Sequence, residues 1–146
     1  MNQNSSAYFA IRQFVPNDTN RVIFIWEQCN LVRNWNNPNF DIQRKLNFQK
    51  ELFFVGLLND EIIATAMFGY DGHRGWLNYF AVLPNFQKRG FGKQLMSYGE
   101  MALIERGCPK LNLQIRNDNT KAINFYQKVG YKEDTAVSFG KRLIED

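Results

Sequence analysis

Cysteine and histidine are scarce in this chain. Among 146 residues there are two cysteines and one histidine. Cys29 and Cys108 are far from each other and from His73 in the sequence, which argues against a disulfide framework and against a CxxC metal site. We therefore predict no metal ion and two thiols that are buried or partly exposed.

Long apolar runs are also missing. The longest, Leu52–Leu58, has seven residues, whereas a membrane span needs about 18. The first nine residues, MNQNSSAYF, have neither the cationic opening nor the apolar core of a signal peptide. These features predict a cytoplasmic protein that has no membrane partner.

The positive charge is modest and dispersed. A net charge of +4 and a pI near 9.1 could indicate nucleic-acid binding, but no basic run exceeds two residues and acidic residues are interleaved. We predict no nucleic-acid partner. Length and average composition predict a single domain over residues 1–146, as a monomer or homodimer.

The most informative stretch is residues 77–95, LNYFAVLPNFQKRGFGKQL. It reads as an apolar strand, a proline turn, a basic glycine-rich loop and a helix. The first amides of a helix lack intrahelical partners, and the helix dipole favours an anion there. Lys88, Arg89 and Lys93 add positive charge, and Gly90 and Gly92 would let the backbone approach a ligand. This stretch predicts a pyrophosphate site.

Two common phosphate loops do not match it. A P-loop requires glycine where Gln87 stands and a hydroxyl where Gln94 stands, and a dinucleotide fingerprint requires glycine in place of Leu95. The alternative without a ligand is an ordinary strand–turn–helix, in which the glycines cap the helix and the basic side chains are solvated. The loop alone leaves both interpretations open.

The remaining pattern predicts a mixed α/β arrangement. Asp18 is the expected N-cap of the first helix. In chain order we predict a strand at 8–14, a helix ending near 30, a helix at 40–48, three antiparallel strands at 52–58, 62–68 and 76–83, a helix at 91–106, a strand at 111–115, a helix at 119–129, and two short strands after 131.

Two separated motifs carry a resemblance to a known family. Gln87-x-x-Gly90-x-Gly92, directly after the strand end Val82-x-Pro84, resembles the acetyl-coenzyme A loop of the GNAT family of N-acetyltransferases. The stretch from Asn119 to Tyr131, with Ala122, Phe125, Tyr126 and Gly130 at the family's spacing, is similar to its second signature. Four further segments, residues 31–38, 69–75, 106–110 and 140–146, resemble a group of small bacterial acetyltransferases within the family.

The resemblance implies a fold and a cofactor. The implied fold is the GNAT fold, an α/β (α+β) arrangement whose mostly antiparallel sheet has six to seven strands and about four flanking helices. Its fourth and fifth strands splay apart, and acetyl-CoA lies in the gap. The implied cofactor-binding residues are Phe80, Ala81, Val82, Gln87, Lys88, Arg89, Gly90, Phe91, Gly92, Lys93, Asn119, Ala122 and Tyr126.

The resemblance also suggests how protons move. Tyr126 is the expected general acid for the departing thiolate, although a helix tyrosine that packs with Phe125 is the alternative. Many relatives carry a glutamate early in the fourth strand, where this chain has no carboxylate. Asp71 and His73 could relay a proton through water, or they could simply belong to a turn. Trp35, between the first two helices, could stack on a substrate or cover the core.

These inferences predict an N-acetyltransferase that transfers the acetyl group of acetyl-CoA directly to a primary amine of a small molecule or peptide. Direct attack by the amine requires no enzyme nucleophile. A ribosomal-protein-type N-terminal acetyltransferase is one alternative, and a non-catalytic coenzyme A sensor is another.

Overall fold

The computed structural model describes residues 8–146 and contains one sheet with strand order β1-β2-β3-β4-β5. Neighbouring strands are antiparallel except β4 and β5, which are parallel. The strands are β1 (Phe9–Gln13), β2 (Phe53–Leu58), β3 (Glu61–Tyr70), β4 (Gly75–Val82) and β5 (Leu111–Leu113), and the α-helices are α1 (Thr19–Gln28), α2 (Pro38–Leu46), α3 (Phe91–Glu105) and α4 (Thr120–Lys128).

The predicted α/β class and the four helices are confirmed. The strand count was wrong, because within residues 8–146 the sheet has five strands and residues 132–146 form none. These residues are exposed and are attached through side chains instead of a backbone ladder. Lys110 pairs with Asp134 at 2.8 Å, and Arg44 and Arg142 both contact the carboxylate of Asp146.

The strands bury both faces of the sheet. On one face Trp26 of α1 hydrogen-bonds to Thr65 of β3. On the other face Phe68 of β3 lies under α3, so close to Gly99 that a Cβ at position 99 would stand 2.0 Å from the Phe68 ring. Strands buried on both faces read as near-continuous apolar runs, which is the pattern of residues 62–68. No helix within residues 8–146 is long and apolar enough to cross a membrane.

The start of α2 and the cap of α1 differ from their predictions. Asn37 caps α2 by accepting from the amides of Asn39 and Phe40, and Pro38 takes the first helical position, where its missing N–H costs nothing. The helix therefore begins earlier than residue 40. Asp18 precedes α1, but its carboxylate accepts from Arg12 and from the Val15 amide, so the predicted side-chain cap is not made.

The end of β3 extends beyond its partner β2. The last β2–β3 pair joins Phe53 to Met67, and the polar backbone groups that follow are bonded by side chains. The Lys45 ammonium donates to the carbonyl of Phe68, and the Gln49 amide bonds both the N–H and the carbonyl of Tyr70. This contact fixes α2 against the sheet.

Candidate active site at the opening between β4 and β5

The centre of the site is a β-bulge in β4. Asn78 pairs with Met67 and Ala81 pairs with Thr65, so that two β4 residues, Tyr79 and Phe80, oppose one residue of β3. Tyr79 has φ +52°, a left-handed conformation that costs a non-glycine residue about 1–2 kcal/mol. An extra residue also shifts the alternation of a strand by one position.

The bulge changes which backbone groups face β5. Before it, the Gly75 N–H donates to Lys110 at the β5 side. After it, the Leu83 N–H donates to Ile63 of β3, so Ala81 also faces β3, while the alternate residues Phe80 and Val82 face the β5 side. The β4–β5 ladder ends at Leu77 and Leu113. The backbone groups of Phe80 and Val82 therefore face an opening between the two strands.

Three side chains hold the bulged residue. The Thr65 hydroxyl donates to the Tyr79 carbonyl at 2.8 Å and accepts from Nε1 of Trp26 at 2.9 Å. The Tyr79 ring stacks on Trp26 with centroids 3.7 Å apart. The Tyr79 hydroxyl donates to Asp41 of α2 at 2.6 Å, and desolvation followed by this hydrogen bond raises the pKa of Tyr79.

The loop after β4 has the features expected of an anion site. Gly90 caps α3 with φ +88° and its carbonyl accepts from Gln94, which leaves the first amides of the helix without intrahelical partners. Lys88, Arg89 and Lys93 are exposed, and within residues 8–146 they form no ion pair. Gln87 donates its side-chain amide to the Val82 carbonyl at 2.8 Å, which ties the loop to the end of β4.

An aromatic cluster joins this loop to α4. A Cβ at Gly92 would stand 3.2 Å from the Phe125 ring and 3.5 Å from the Phe80 ring. Gly92 therefore packs against aromatic side chains. Gly90, in contrast, has the positive φ angle that favours glycine. The Phe80 and Phe125 centroids are 5.5 Å apart. The loop, the bulge and α4 meet at this cluster.

Tyr126 belongs to the same cluster. Its ring centroid lies 6.0 Å from that of Phe80 and 5.2 Å from that of Phe125. Burial raises the pKa of the phenol. The hydrogen bonds found among residues 8–146 do not include the Tyr126 hydroxyl.

Asn119 is the N-cap of α4, and its side chain accepts from the Ala122 amide at 3.1 Å. The cap satisfies one of the unpaired helix amides. Asn119 and Ala122 thus act together at the start of the helix that carries Tyr126.

Asp71 and His73 lie in the turn between β3 and β4. Asp71 accepts from the amides of His73 and Arg74 at 2.8 and 2.7 Å, and these backbone hydrogen bonds hold its pKa below the usual value. Seven positions separate His73 from Phe80, which corresponds to roughly 20 Å along a strand. The arrangement is that of a turn and disfavours a proton relay to the bulge.

Trp35 lies in the α1–α2 loop, with the guanidinium of Arg116 5.6 Å from its ring centroid. Arg116 follows β5, so this contact joins the α1–α2 loop to the segment after β5. The Trp35 side chain is exposed and does not cover the core.

A cavity of about 580 Å³ lies between α2 and the outer ends of β3 and β4. We call it the α2 cavity; its lining includes Asp41, Phe48, Met67, Trp76, Asn78 and Tyr79. Its volume falls within the ~300–1,000 Å³ typical of small-molecule sites. Because Tyr79 lines the cavity and also forms the bulge, the cavity reaches the bulge.

The family model for the acetyltransferase (GNAT) family matches residues 20–131. The chain belongs to the GNAT acetyltransferase family. An acetyltransferase of Yersinia pestis (strain Pestoides F) is 48% identical over 136 residues, covering 93% of this chain and 96% of the relative. An acetyltransferase of Pectobacterium atrosepticum shows the same identity and coverage. This chain is accordingly an acetyltransferase.

Solved structures show the same fold. Ard1 from Thermoplasma volcanium aligns with a TM-score of 0.73 and 26% identity, covering 84% of this chain and 81% of the other. The ribosomal-protein-S18-alanine N-acetyltransferase from Escherichia coli aligns with a TM-score of 0.72 and 23% identity, covering 88% and 80%. The expected GNAT fold is confirmed.

The sequence analysis missed three residues of this GNAT site. Asp41, Thr65 and Trp26 surround Tyr79 from α2, β3 and α1. In the sequence, Thr65 is one polar residue within an apolar strand and Trp26 is one member of an apolar helix stripe. Only the packing of α1 and α2 on the sheet brings them to the bulge.

Proposed function

We propose that this protein transfers the acetyl group of acetyl-CoA directly to a primary amine. The observation that carries the proposal is the opening between β4 and β5, bordered by the first amides of α3, which have no side-chain cap, and by Tyr126. Acetyl-CoA would supply an activated thioester and a polyanionic handle. The residues present fit both parts.

The pyrophosphate would be held by the start of α3. Gly90 presents the free helix amides, and Lys88, Arg89 and Lys93 supply positive charge that no described residue neutralises. Helix N-termini with such charges bind phosphate groups. The backbone groups of Phe80 and Val82 face the opening and would bond the pantetheine amides, whereas the backbone of Ala81 faces β3.

Tyr126 is the proposed general acid. Its raised pKa keeps the phenol protonated at neutral pH, so the hydroxyl can donate a hydrogen bond to a sulfur that gains negative charge. A thiolate, whose conjugate acid has a pKa near ~8.5, is stabilised by such a donor. The Phe80 N–H is the proposed donor to the thioester carbonyl.

The α2 cavity is the proposed acceptor site. Its size suits a small molecule, and its aromatic lining suits an acceptor with an apolar body. The charged groups of the lining have partners within the protein: Arg44 pairs with Asp41 and Asp146, Lys45 donates to the Phe68 carbonyl, and Asp71 accepts from two backbone amides. The cavity therefore favours a small primary amine over a strongly charged polyion.

Two measurements test the proposal. Calorimetry should show binding of coenzyme A, and acetyl-CoA with a panel of small amines and N-terminal peptides should release free thiol with at least one small amine. If the protein binds coenzyme A but releases no free thiol with any of the amines, it would be a coenzyme A sensor instead. A protein that neither binds coenzyme A nor releases thiol would overturn the proposal.

A further inference from the structure

Tyr79 is held in an unfavourable backbone conformation by groups outside its own strand. The Thr65 hydroxyl is fully buried, and it makes one bond to the bulged carbonyl of Tyr79 and one to the indole of Trp26. A buried hydroxyl that both donates and accepts in this way is satisfied by these two partners. Any other orientation of the Tyr79 carbonyl would leave Thr65 without its acceptor.

The stacked ring adds a second restraint. Trp26 is itself fully buried, and the Tyr79 ring lies almost parallel to it, at 13°. The far end of the ring is fixed because its hydroxyl donates to Asp41. Tyr79 is therefore held at its carbonyl, at its ring face and at its hydroxyl.

The consequence falls on the next residue. Before the bulge, the backbone groups of Gly75 and Leu77 face β5, and those of the residues next to them face β3. If this period-two alternation continued without the bulge, the Phe80 amide would face β3. With the bulge, the amide faces the opening. The direction of this donor thus depends on Tyr79 staying left-handed.

We infer that Thr65 and Trp26 are positioning residues, which aim the Phe80 amide into the opening by holding Tyr79 in its left-handed conformation. The inference rests on the proposed function, because the amide has a catalytic purpose only if a thioester carbonyl lies in the opening. Neither side chain touches the opening itself; both act through Tyr79.

The test compares Thr65→Val, which keeps the shape and removes the hydroxyl, with Thr65→Ser, which keeps the hydroxyl. Ile25→Val is the matched control, since Ile25 is a fully buried neighbour of Trp26 in α1 and makes no bond to the bulge. We expect Thr65→Val to lower kcat about 100-fold, the effect of a displacement near 1 Å at a reacting centre. The KM for acetyl-CoA should change little, and Thr65→Ser should restore kcat.

Amide hydrogen exchange supplies a readout that does not depend on turnover. Exchange at Asn78–Ala81 should accelerate in Thr65→Val and stay as in the wild type in Ile25→Val. Should Thr65→Val not fold, Trp26→Phe, which keeps a stacking ring but loses Nε1–H, should change kcat and exchange in the same direction.

The outcomes separate the two proposals. If Thr65→Val folds and keeps the wild-type kcat and amide exchange, the inference is overturned while the acetyltransferase assignment stays intact. The same holds if Ile25→Val loses as much kcat as Thr65→Val. If the wild type turns over no amine, the proposed function fails, and unchanged exchange in Thr65→Val would then overturn the structural part of the inference as well.

Discussion

The rings of Phe80 and Tyr126 pack against each other from two different elements of the site, with centroids 6.0 Å apart and planes inclined by 54°. Phe80 comes from the bulged strand β4 and Tyr126 from the last helix. Their contact brings the Phe80 amide, which faces the opening, close to the Tyr126 phenol. The proposed chemistry depends on this contact being kept.

Replacing Tyr126 with phenylalanine tests the phenol without disturbing the aromatic cluster. We expect Tyr126→Phe to lower kcat by about 100-fold, the lower range for loss of an acid–base group, and to leave the affinity for coenzyme A unchanged. Steady-state kinetics and calorimetry measure the two effects. An unchanged kcat would remove Tyr126 from the mechanism.

The pH dependence offers a second test of the same residue. An ordinary tyrosine ionises near pH ~10, but burial raises the pKa of Tyr126. The wild-type kcat should therefore show no decline from loss of this proton up to about pH 10. A decline below that pH which disappears in Tyr126→Phe would contradict the assignment.

Gly90 can be tested against a glycine of the same conformation. Gly90 has φ +88° and Gly107 has φ +82°, and a Cβ at either position meets no atom within 4 Å. Alanine at each site should cost about 1–2 kcal/mol of unfolding free energy, because of the left-handed backbone. Only Gly90→Ala, at the start of α3, should weaken coenzyme A binding. Equal affinities in both variants would count against the pyrophosphate site.

Gly99 packs so closely on Phe68 that any side chain there collides with the core. A Cβ there would lie 2.0 Å from the Phe68 ring, and overpacking typically costs about 1–3 kcal/mol. Gly99→Ala should lower the denaturation midpoint in urea despite the better helix propensity of alanine. Gly140→Ala, which has no neighbour within 4 Å, should leave the midpoint unchanged.

Lys45 should make stability rise with alkaline pH. Desolvation by burial lowers its pKa to about 8, whereas an unfolded lysine titrates near ~10.4. Between these values the unfolded state binds more protons, so stability increases with pH across this window. We expect this increase to be at most about 3 kcal/mol. Urea unfolding of the wild type and Lys45→Met from pH 7 to pH 10 should show the difference, and parallel profiles would refute the buried ammonium.

The sequence was sufficient for the elements whose signals are local. The apolar stripe of α1 and the glycine stop after α4 predicted those helices closely, and the strand–loop–helix from residue 77 to 95 formed as expected. The closing strands failed because the alternation after Tyr131 is weak, and residues 132–146 attach through ion pairs, which leave no periodic pattern. The second helix is predicted to begin at residue 40, whereas the Asn37 cap and Pro38 begin α2 earlier.

The bulge could not be predicted from the sequence. Residues 76–83 read as a regular strand, and nothing in them marks Tyr79 as left-handed. Its conformation depends on Trp26, Thr65 and Asp41, which are distant in the chain. Long-range packing thus determined the part of the site that matters most for the proposed chemistry.

The side chains of Lys45 and Gln49 have a further consequence for behaviour at high concentration. They occupy the hydrogen-bonding groups that β3 exposes after β2 ends, and such unpaired edges otherwise recruit strands from other molecules. A foreign segment would have to displace a buried ammonium and a bidentate amide before it could add to the sheet. These bonds therefore oppose the addition of a strand from another molecule at this end of β3.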